Sequence, residues 1–352
     1  MRGIGLVVCS ALALLALVAC VEGVTVTKIH GGLVSEGIEY NPRTGKLLVG
    51  SISKGAIYEV ESNGDLNVFA DDDVLTSTTG IQVDTDRDFL YACNNEKAFP
   101  DVNNHAGLAI LSLRDGALVR YVDLTNLLGS DAKLLNDVTL ADSEGFIYAT
   151  DSLGGAIFQI DPETGDSALY FQSDDLKPND SAGVGANGIE IWRDRDDKSS
   201  EFLIIAKSGA STETAALYRL DLGLELSERA LKKITLNVEG FGYDGLFMVR
   251  SGERTGTLYA VSSDTVYSYV SSNFETALQG DIYDLVSLQG TTAVYIPKGD
   301  KLAVNCANNF SSETTFIDTF VLEDDALVNS ASSFGPFSVL AVLLVSFFLL
   351  FV

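Results

Sequence analysis

Apolar positions along this chain fall into short runs rich in Val, Ile, Leu, Tyr and Phe, set apart by turn residues, with no long apolar stripe at helical spacing. The pattern predicts an all-β protein. The clearest unit opens at Ser35-Glu-Gly-Ile-Glu-Tyr, turns at Asn41-Pro-Arg-Thr-Gly, continues as Lys46-Leu-Leu-Val-Gly-Ser and Ala56-Ile-Tyr-Glu-Val, turns at Ser62-Asn-Gly-Asp and ends at Leu66-Asn-Val-Phe. That is four strands joined by hairpins. The same order returns at Thr79-Gly-Ile-Gln-Val with Phe89-Leu-Tyr-Ala, at Asn136-Asp-Val-Thr-Leu with Phe146-Ile-Tyr-Ala, and at Asn187-Gly-Ile-Glu-Ile with Phe202-Leu-Ile-Ile-Ala. It continues at Asp244-Gly-Leu-Phe-Met with Thr257-Leu-Tyr-Ala-Val, and at Thr292-Ala-Val-Tyr-Ile with Lys301-Leu-Ala-Val-Asn. Openings at 36, 79, 136, 187, 244 and about 291 lie 43 to 57 residues apart, the period of propeller blades. The expected fold is a six-bladed β-propeller of four-stranded blades, its ring closed by a last strand from about Phe316 to Leu322. A pair of β-sandwiches would not explain one pattern repeated six times.

Residues that open the innermost strands of a propeller converge on its axis. Here that column is Glu36, Thr79, Asn136, Asn187, Asp244 and roughly Thr291. Two carboxylates and two carboxamides around one axis make a hard-oxygen ligand set of the Ca²⁺ type, with the carboxylates balancing a divalent charge. Without a cation the same groups would meet as repelling carboxylates and buried amides in need of partners. Taken one at a time, Asn187-Gly and Asp244-Gly also read as strand-entry turns.

The openings Ser35-Glu-Gly-Ile-Glu-Tyr, Leu135-Asn-Asp-Val-Thr-Leu-Ala-Asp, Ala186-Asn-Gly-Ile-Glu-Ile and Tyr243-Asp-Gly-Leu-Phe-Met resemble those of the SMP-30/gluconolactonase family, related in architecture to squid-type diisopropylfluorophosphatase and the paraoxonases. The resemblance spans about residues 30 to 322. It implies that Glu36, Asn136, Asn187 and Asp244 hold a divalent cation, Ca²⁺ before Zn²⁺ or Mn²⁺. It also implies that the cation polarises a carbonyl or phosphoryl oxygen while Asp244 serves as general base or nucleophile. One departure stands out: where sugar lactonases of the family carry a substrate-gripping basic residue two places before the first Asn, this chain has Leu134, with Lys133 beside it. A paraoxonase-type histidine pair is also hard to assemble, since His30 precedes the first blade and His105 ends the long loop from Asn94.

The ends of the second strands approach the same face: Ser51, Asn94, Asp151, Lys207, Ser262 and Asn305. Of these, Lys207, Asn94 and Asp151 are the candidate substrate-binding residues, Lys207 as a lone cation able to orient an anionic or carbonyl substrate. A surface salt bridge is the plainer role for Lys207. The acidic clusters Asp71 to Asp73, Asp194 to Asp197 and Glu323 to Asp325 read as solvated turns.

Composition narrows the functional class. With 49 acidic and 23 basic residues the formal net charge is −26, which repels phosphate backbones and argues against a nucleic-acid partner. Only two histidines are present, so neither a His-rich zinc site nor a Ser-His-Asp triad is well supplied. Residues 1–23, with Arg2 and the apolar run from Ile4 to Val18, read as a secretory signal. Residues 329–352 read as a glycolipid (GPI) anchor signal or hydrophobic tail: small residues around Ser330 precede the apolar stretch from Phe337 to Val352, which is short for a bilayer span of about 20 residues. The propeller between them would cover 24–328. Export fits glycosylation acceptors at Asn179-Asp-Ser and Asn309-Phe-Ser. Outside the signal the cysteines are Cys93 and Cys306, placed in distant units and expected as buried free thiols.

The sequence therefore leads to a secreted, membrane-anchored, divalent-metal-dependent hydrolase of the lactonase or esterase kind. It would be a monomer at the extracellular face of the plasma membrane, acting on a small-molecule lactone or ester. The rival is a non-catalytic cell-surface adhesion propeller with a structural metal and a surface ligand.

Overall fold

The computed structural model describes residues 24–97, 105–128, 133–140, 145–179, 183–193, 201–249, 256–307 and 314–322. The signal, the C-terminal tail, Asn309, the clusters at 194–197 and 323–325, and residues 98–104 of the loop before His105 lie outside this set. Among the described residues no helix is long and apolar enough to cross a membrane, and only three short 3₁₀ turns interrupt the strands.

Six antiparallel sheets form the blades, in chain order. The innermost strands are Ser35–Asn41, Thr78–Asp84, Leu135–Leu140, Ala186–Arg193, Leu246–Met248 and Gly290–Ile296, each followed outward by its successors. This is the expected all-β, six-bladed propeller. The two-residue strand Thr235–Leu236 adds a parallel edge to the fifth blade, beside Thr276–Asp284.

The second strands read as near-continuous apolar runs because both of their faces are covered. Ile147–Asp151 and Glu201–Lys207, for instance, are buried at every position. Each blade-to-blade interface has its own apolar cluster. Leu48 and Ile57 meet Ile81 and Leu90; Leu108 and Ile110 meet Val138 and Phe158; Tyr148 and Ile157 meet Ile189 and Leu203. Trp192 and Phe202 meet Leu246 and Leu258, Tyr259 and Val266 meet Leu302 and Val304, and Ala303 and Ile317 meet Ile38 and Val49, which completes the circle. Cys93 and Cys306 are free, buried thiols in the second and sixth blades. Burial pushes both well above the usual thiol range.

Ring closure differs from the sequence expectation. Phe316–Val321 is the third strand of the sixth blade, and the outer strand is Val24–Lys28, paired antiparallel from Val24 with Phe320 to Lys28 with Phe316. A blade built from both ends of the chain ties them together. Alternating β-branched residues in Val24-Thr-Val-Thr are the local signal for this strand, but one isolated strand with no hairpin partner carries no blade pattern of its own.

Candidate metal centre

Five of the six blade openings share one local device. Just after the residue that opens the inner strand the register slips, as between Ser35 and Ile38, Thr78 and Ile81, Leu135 and Val138, Ala186 and Ile189, and Gly290 and Ala293. Such bulges re-aim a side chain. The residue inside the slip is Gly37, Gly80 or Gly188 in three blades, and Gly245 holds the matching place before the fifth inner strand, because neighbouring strands touch there. A Cβ on Gly37 would stand 2.5 Å from the carbonyl oxygen of Thr79, and one on Gly188 2.5 Å from both Asp244 O and Leu246 N. Direct inter-blade bonds run alongside: Gly188 N–H donates to Asp244 O (2.9 Å), Gly245 N–H to Thr291 O (2.6 Å), the Thr79 hydroxyl to Leu135 O (2.7 Å) and the Thr291 hydroxyl to Glu36 O (2.7 Å). The two threonines of the column thus hold their neighbours' backbones.

Glu36, Thr79, Asn136, Asn187 and Asp244 line one cavity of about 270 Å³ with Ile52, Leu134, Val184, Ser208, Gly209 and Gly242. Glu36, Asn136 and Asn187 are almost fully buried, and Asp244 is partly open to the cavity. The amides are oriented. Asn136 Nδ2 donates to Ser152 Oγ (2.9 Å) and Asn187 Nδ2 to Ser208 Oγ (3.0 Å), while the two serine hydroxyls donate to the carbonyls of Ala186 and Tyr243. That fixes each amide oxygen on the other side of its plane. Glu36 Oε2, Asn136 Oδ1 and Asn187 Oδ1 are then buried acceptors that receive no hydrogen bond from any described residue. A buried acceptor left bare costs about 1–3 kcal/mol, and three on one cavity is the arrangement expected of an oxygen-ligand cation site. Among the described residues no three His, Cys, Asp or Glu gather as a metal cluster, because half of this ligand set consists of asparagine oxygens.

Electrostatics agree. Burial, then the charges of Asp244 and Asp137, hold the Glu36 carboxyl well above the usual carboxylate range. Burial pushes Asp244 up to about 7 against the opposing pull of Asn187, and pushes Asp137 up to about 8. A carboxyl that binds its proton more tightly when folded contributes stability below its unfolded pKa of about 4 and loses it as the pH climbs through its folded pKa. In chelator, therefore, the melting temperature is expected to fall by roughly 5–10 °C between pH 5 and pH 8, and Ca²⁺ is expected to close that gap. Equal or higher stability at pH 8 in chelator, read by thermal denaturation, contradicts this.

Asp137 is a residue that sequence reasoning missed. It occupies the position that is glycine in four other blades, accepts from Val138 N (2.9 Å) and Ile189 N (3.2 Å), and so joins the third and fourth blades beside Asn136. Its departure from the glycine column was the available signal. Glu190 does the same one blade on, accepting from Ile191 N (3.1 Å) and Met248 N (3.2 Å).

The candidate substrate-binding residues do not line the cavity. Asn94 is buried, with its amide oxygen taking Thr76 N (2.8 Å) and Ser77 N (3.2 Å) and its nitrogen giving to Val74 O (2.8 Å). Asp151 Oδ1 gathers Leu134 N (2.9 Å), Leu153 N (3.1 Å) and Gly154 N (3.3 Å). Lys207 is buried rather than on the surface, its ammonium reaching Thr214 O at 3.5 Å. In each case the next residue bonds to the backbone at the opening of the following blade. Ser152 and Ser208 orient the Asn136 and Asn187 amides, and Asn95 exchanges two bonds with the Leu135 backbone. Successive strand residues face opposite ways, so a one-residue misplacement reverses the role. His105 is exposed, and His30 lies 3.6 Å from Asp65, with both side chains in solvent.

No family model matches the sequence, and no curated protein matches it at the sequence level. Solved structures do match its fold. The major allergen Mala s 1 of Malassezia sympodialis superposes with a TM-score of 0.69 at 16% identity, over 89% of this chain and 98% of that one. A gluconolactonase from Xanthomonas campestris gives 0.55 at 13% identity, over 84% and 89%. A calcium-binding regucalcin from Agrobacterium tumefaciens gives 0.52 at 15%, over 83% and 92%. At these identities the likeness is one of fold: this chain is a six-bladed propeller of the architecture found in gluconolactonase- and regucalcin-type proteins, as its blade openings lead one to expect.

Proposed function

We propose that the chain is a divalent-metal-dependent hydrolase of the lactonase or esterase kind, with its cation held on the propeller axis by Glu36, Asn136, Asn187 and Asp244. The observation that carries this is the set of three bare, buried oxygens on Glu36, Asn136 and Asn187, facing the same cavity as Asp244. Support comes from the fold shared with a gluconolactonase and a calcium-binding regucalcin. Ca²⁺ suits a set of carboxylate and amide oxygens with no nitrogen or sulfur.

Bound there, a divalent cation supplies Lewis acidity toward a substrate carbonyl or phosphoryl oxygen. The chain's own groups do the rest. Asp244, the ligand residue partly open to the cavity, takes a proton from the attacking water as that water's oxygen bonds to the acyl carbon. The carbon–oxygen bond to the leaving alkoxide then breaks, and the alkoxide regains the proton, leaving an acid and an alcohol. Glu36 remains the charge-balancing carboxylate, and the serine-held amides of Asn136 and Asn187 keep their oxygens aimed without reorganisation. Ile52, Leu134 and Val184 keep the cavity wall dry.

The test is hydrolysis of a panel of lactones, aryl esters and phosphoesters by chelator-stripped protein refilled with Ca²⁺, Zn²⁺ or Mn²⁺. Turnover that returns with the cation supports the hydrolase. Stoichiometric binding without turnover on any class would leave the adhesion propeller with a structural metal as the better account. Residues 1–23 and 329–352 further support a protein exported and held at the outer cell surface by a GPI-type anchor. Release from expressing cells by phosphatidylinositol-specific phospholipase C is the expected result, and retention contradicts it.

A further inference from the structure

Beyond the axial oxygens, the cavity offers a substrate few polar contacts. Three of its wall residues are Ile52, Leu134 and Val184, and among the described residues no basic side chain lines it. Its hydroxyls, and the N–H of Gly242, are committed within the protein: Thr79 Oγ1 to Leu135 O, Ser208 Oγ to Tyr243 O, and Gly242 N to Gly209 O at 2.9 Å. The ligand amides give to Ser152 and Ser208. A polyhydroxylated ring placed here would exchange water for unpaired hydroxyls at a cost that a hydrocarbon does not incur.

The rim continues the apolar surface outward. Phe241, next to the lining residue Gly242, is 48% exposed, and Val238 in the same entry loop is 42% exposed. In the entry loop of the next blade, Leu288 is 57% exposed. Both loops are pinned to the turn after Thr257–Val261, through Ser262 Oγ donating to Phe241 O (2.9 Å) and Gly290 N donating to Ser263 O (3.0 Å). They therefore flank the same stretch of the cavity's face. Large exposed apolar side chains beside a mostly apolar pocket mark a ligand surface.

We infer that this site takes a neutral lactone or ester carrying a hydrocarbon substituent, with the acyl group at the axis and the chain lying along Leu134 and out over Phe241. The inference rests on the metal-site reading above and extends it to substrate class.

The test uses the purified, Ca²⁺-loaded protein with a neutral fluorescent hydrocarbon probe, Nile red, displaced by a medium-chain alkyl δ-lactone or by glucono-δ-lactone. The alkyl lactone is expected to displace the probe at concentrations at least 30-fold lower. Phe241→Ser, an exposed position, and Leu134→Asn are each expected to weaken that displacement by about tenfold, the effect of losing one large apolar contact. Ca²⁺ binding by calorimetry should stay unchanged in Phe241→Ser. Equal or tighter binding of glucono-δ-lactone, no binding of either lactone, or alkyl-lactone binding indifferent to both substitutions overturns the inference. Failure of the hydrolase reading looks different: alkyl-lactone binding without turnover, or no calorimetric Ca²⁺ signal in the wild-type protein.

Discussion

Asp244→Ala is expected to abolish stoichiometric Ca²⁺ binding and to reduce metal-dependent hydrolysis by about a thousandfold or more. Asp244 supplies one of the two carboxylates on the cavity, so its loss leaves a dication facing Glu36 and two neutral amides. It also removes the proposed acceptor for the water's proton. The same site explains an opposite effect on stability. In chelator, Asp244 and Glu36 repel one another in a desolvated channel, and that repulsion helps hold Glu36 above the usual carboxylate range. Asp244→Asn, which keeps the volume, should therefore melt higher than the wild type in chelator at pH 8, and lower than the wild type once Ca²⁺ is added. A crossing of the two stabilities on adding the cation is specific to a ligand role. A carboxylate used only for packing would shift both conditions the same way.

Gly188→Ala is expected to cost about 3 kcal/mol and to lower the melting temperature by roughly 6–12 °C. The added methyl would lie 2.5 Å from Asp244 O and Leu246 N, both main-chain atoms, so relief requires moving the fifth blade's inner strand away from the fourth. It would also stretch the Gly188 N to Asp244 O bond of 2.9 Å that sets the height of Asp244 on the axis. Ca²⁺ affinity should fall together with stability. Gly223→Ala, a positive-φ glycine whose Cβ would meet nothing within 4 Å, carries only its local backbone strain and is expected to leave Ca²⁺ affinity intact. Comparable losses of affinity in both variants, read by thermal denaturation and calorimetry, would contradict close packing of the axial glycines as the device that positions the ligand.

The propeller was legible because its inner strands repeat one local instruction at blade spacing: a polar residue, a glycine in four blades of the six, then an apolar residue. Glu36-Gly-Ile, Asn187-Gly-Ile and Asp244-Gly-Leu state it plainly, and the same positions face the axis. What escaped notice lacks such repetition. The strand Val24–Lys28 pairs with residues some 290 positions away, and no local hairpin announces it. Ser152 and Ser208 were displaced by their charged neighbours Asp151 and Lys207, whose chemistry draws attention while alternation turns them from the cavity. Nothing in the local pattern around Asn136 announces that the Asp137 carboxylate takes two backbone amides, because the bulge alone turns it onto them. In each case side-chain chemistry was visible, and its facing, decided by register and bulges, was not.

The most direct measurement of the central claim is calorimetric titration of Ca²⁺ into chelator-stripped protein, wild type beside Glu36→Gln. A single stoichiometric site in the wild type that is lost or weakened at least a hundredfold in the variant is the predicted result. No binding in the wild type, or equal binding in both, would contradict an axial cation site built on Glu36, Asn136, Asn187 and Asp244.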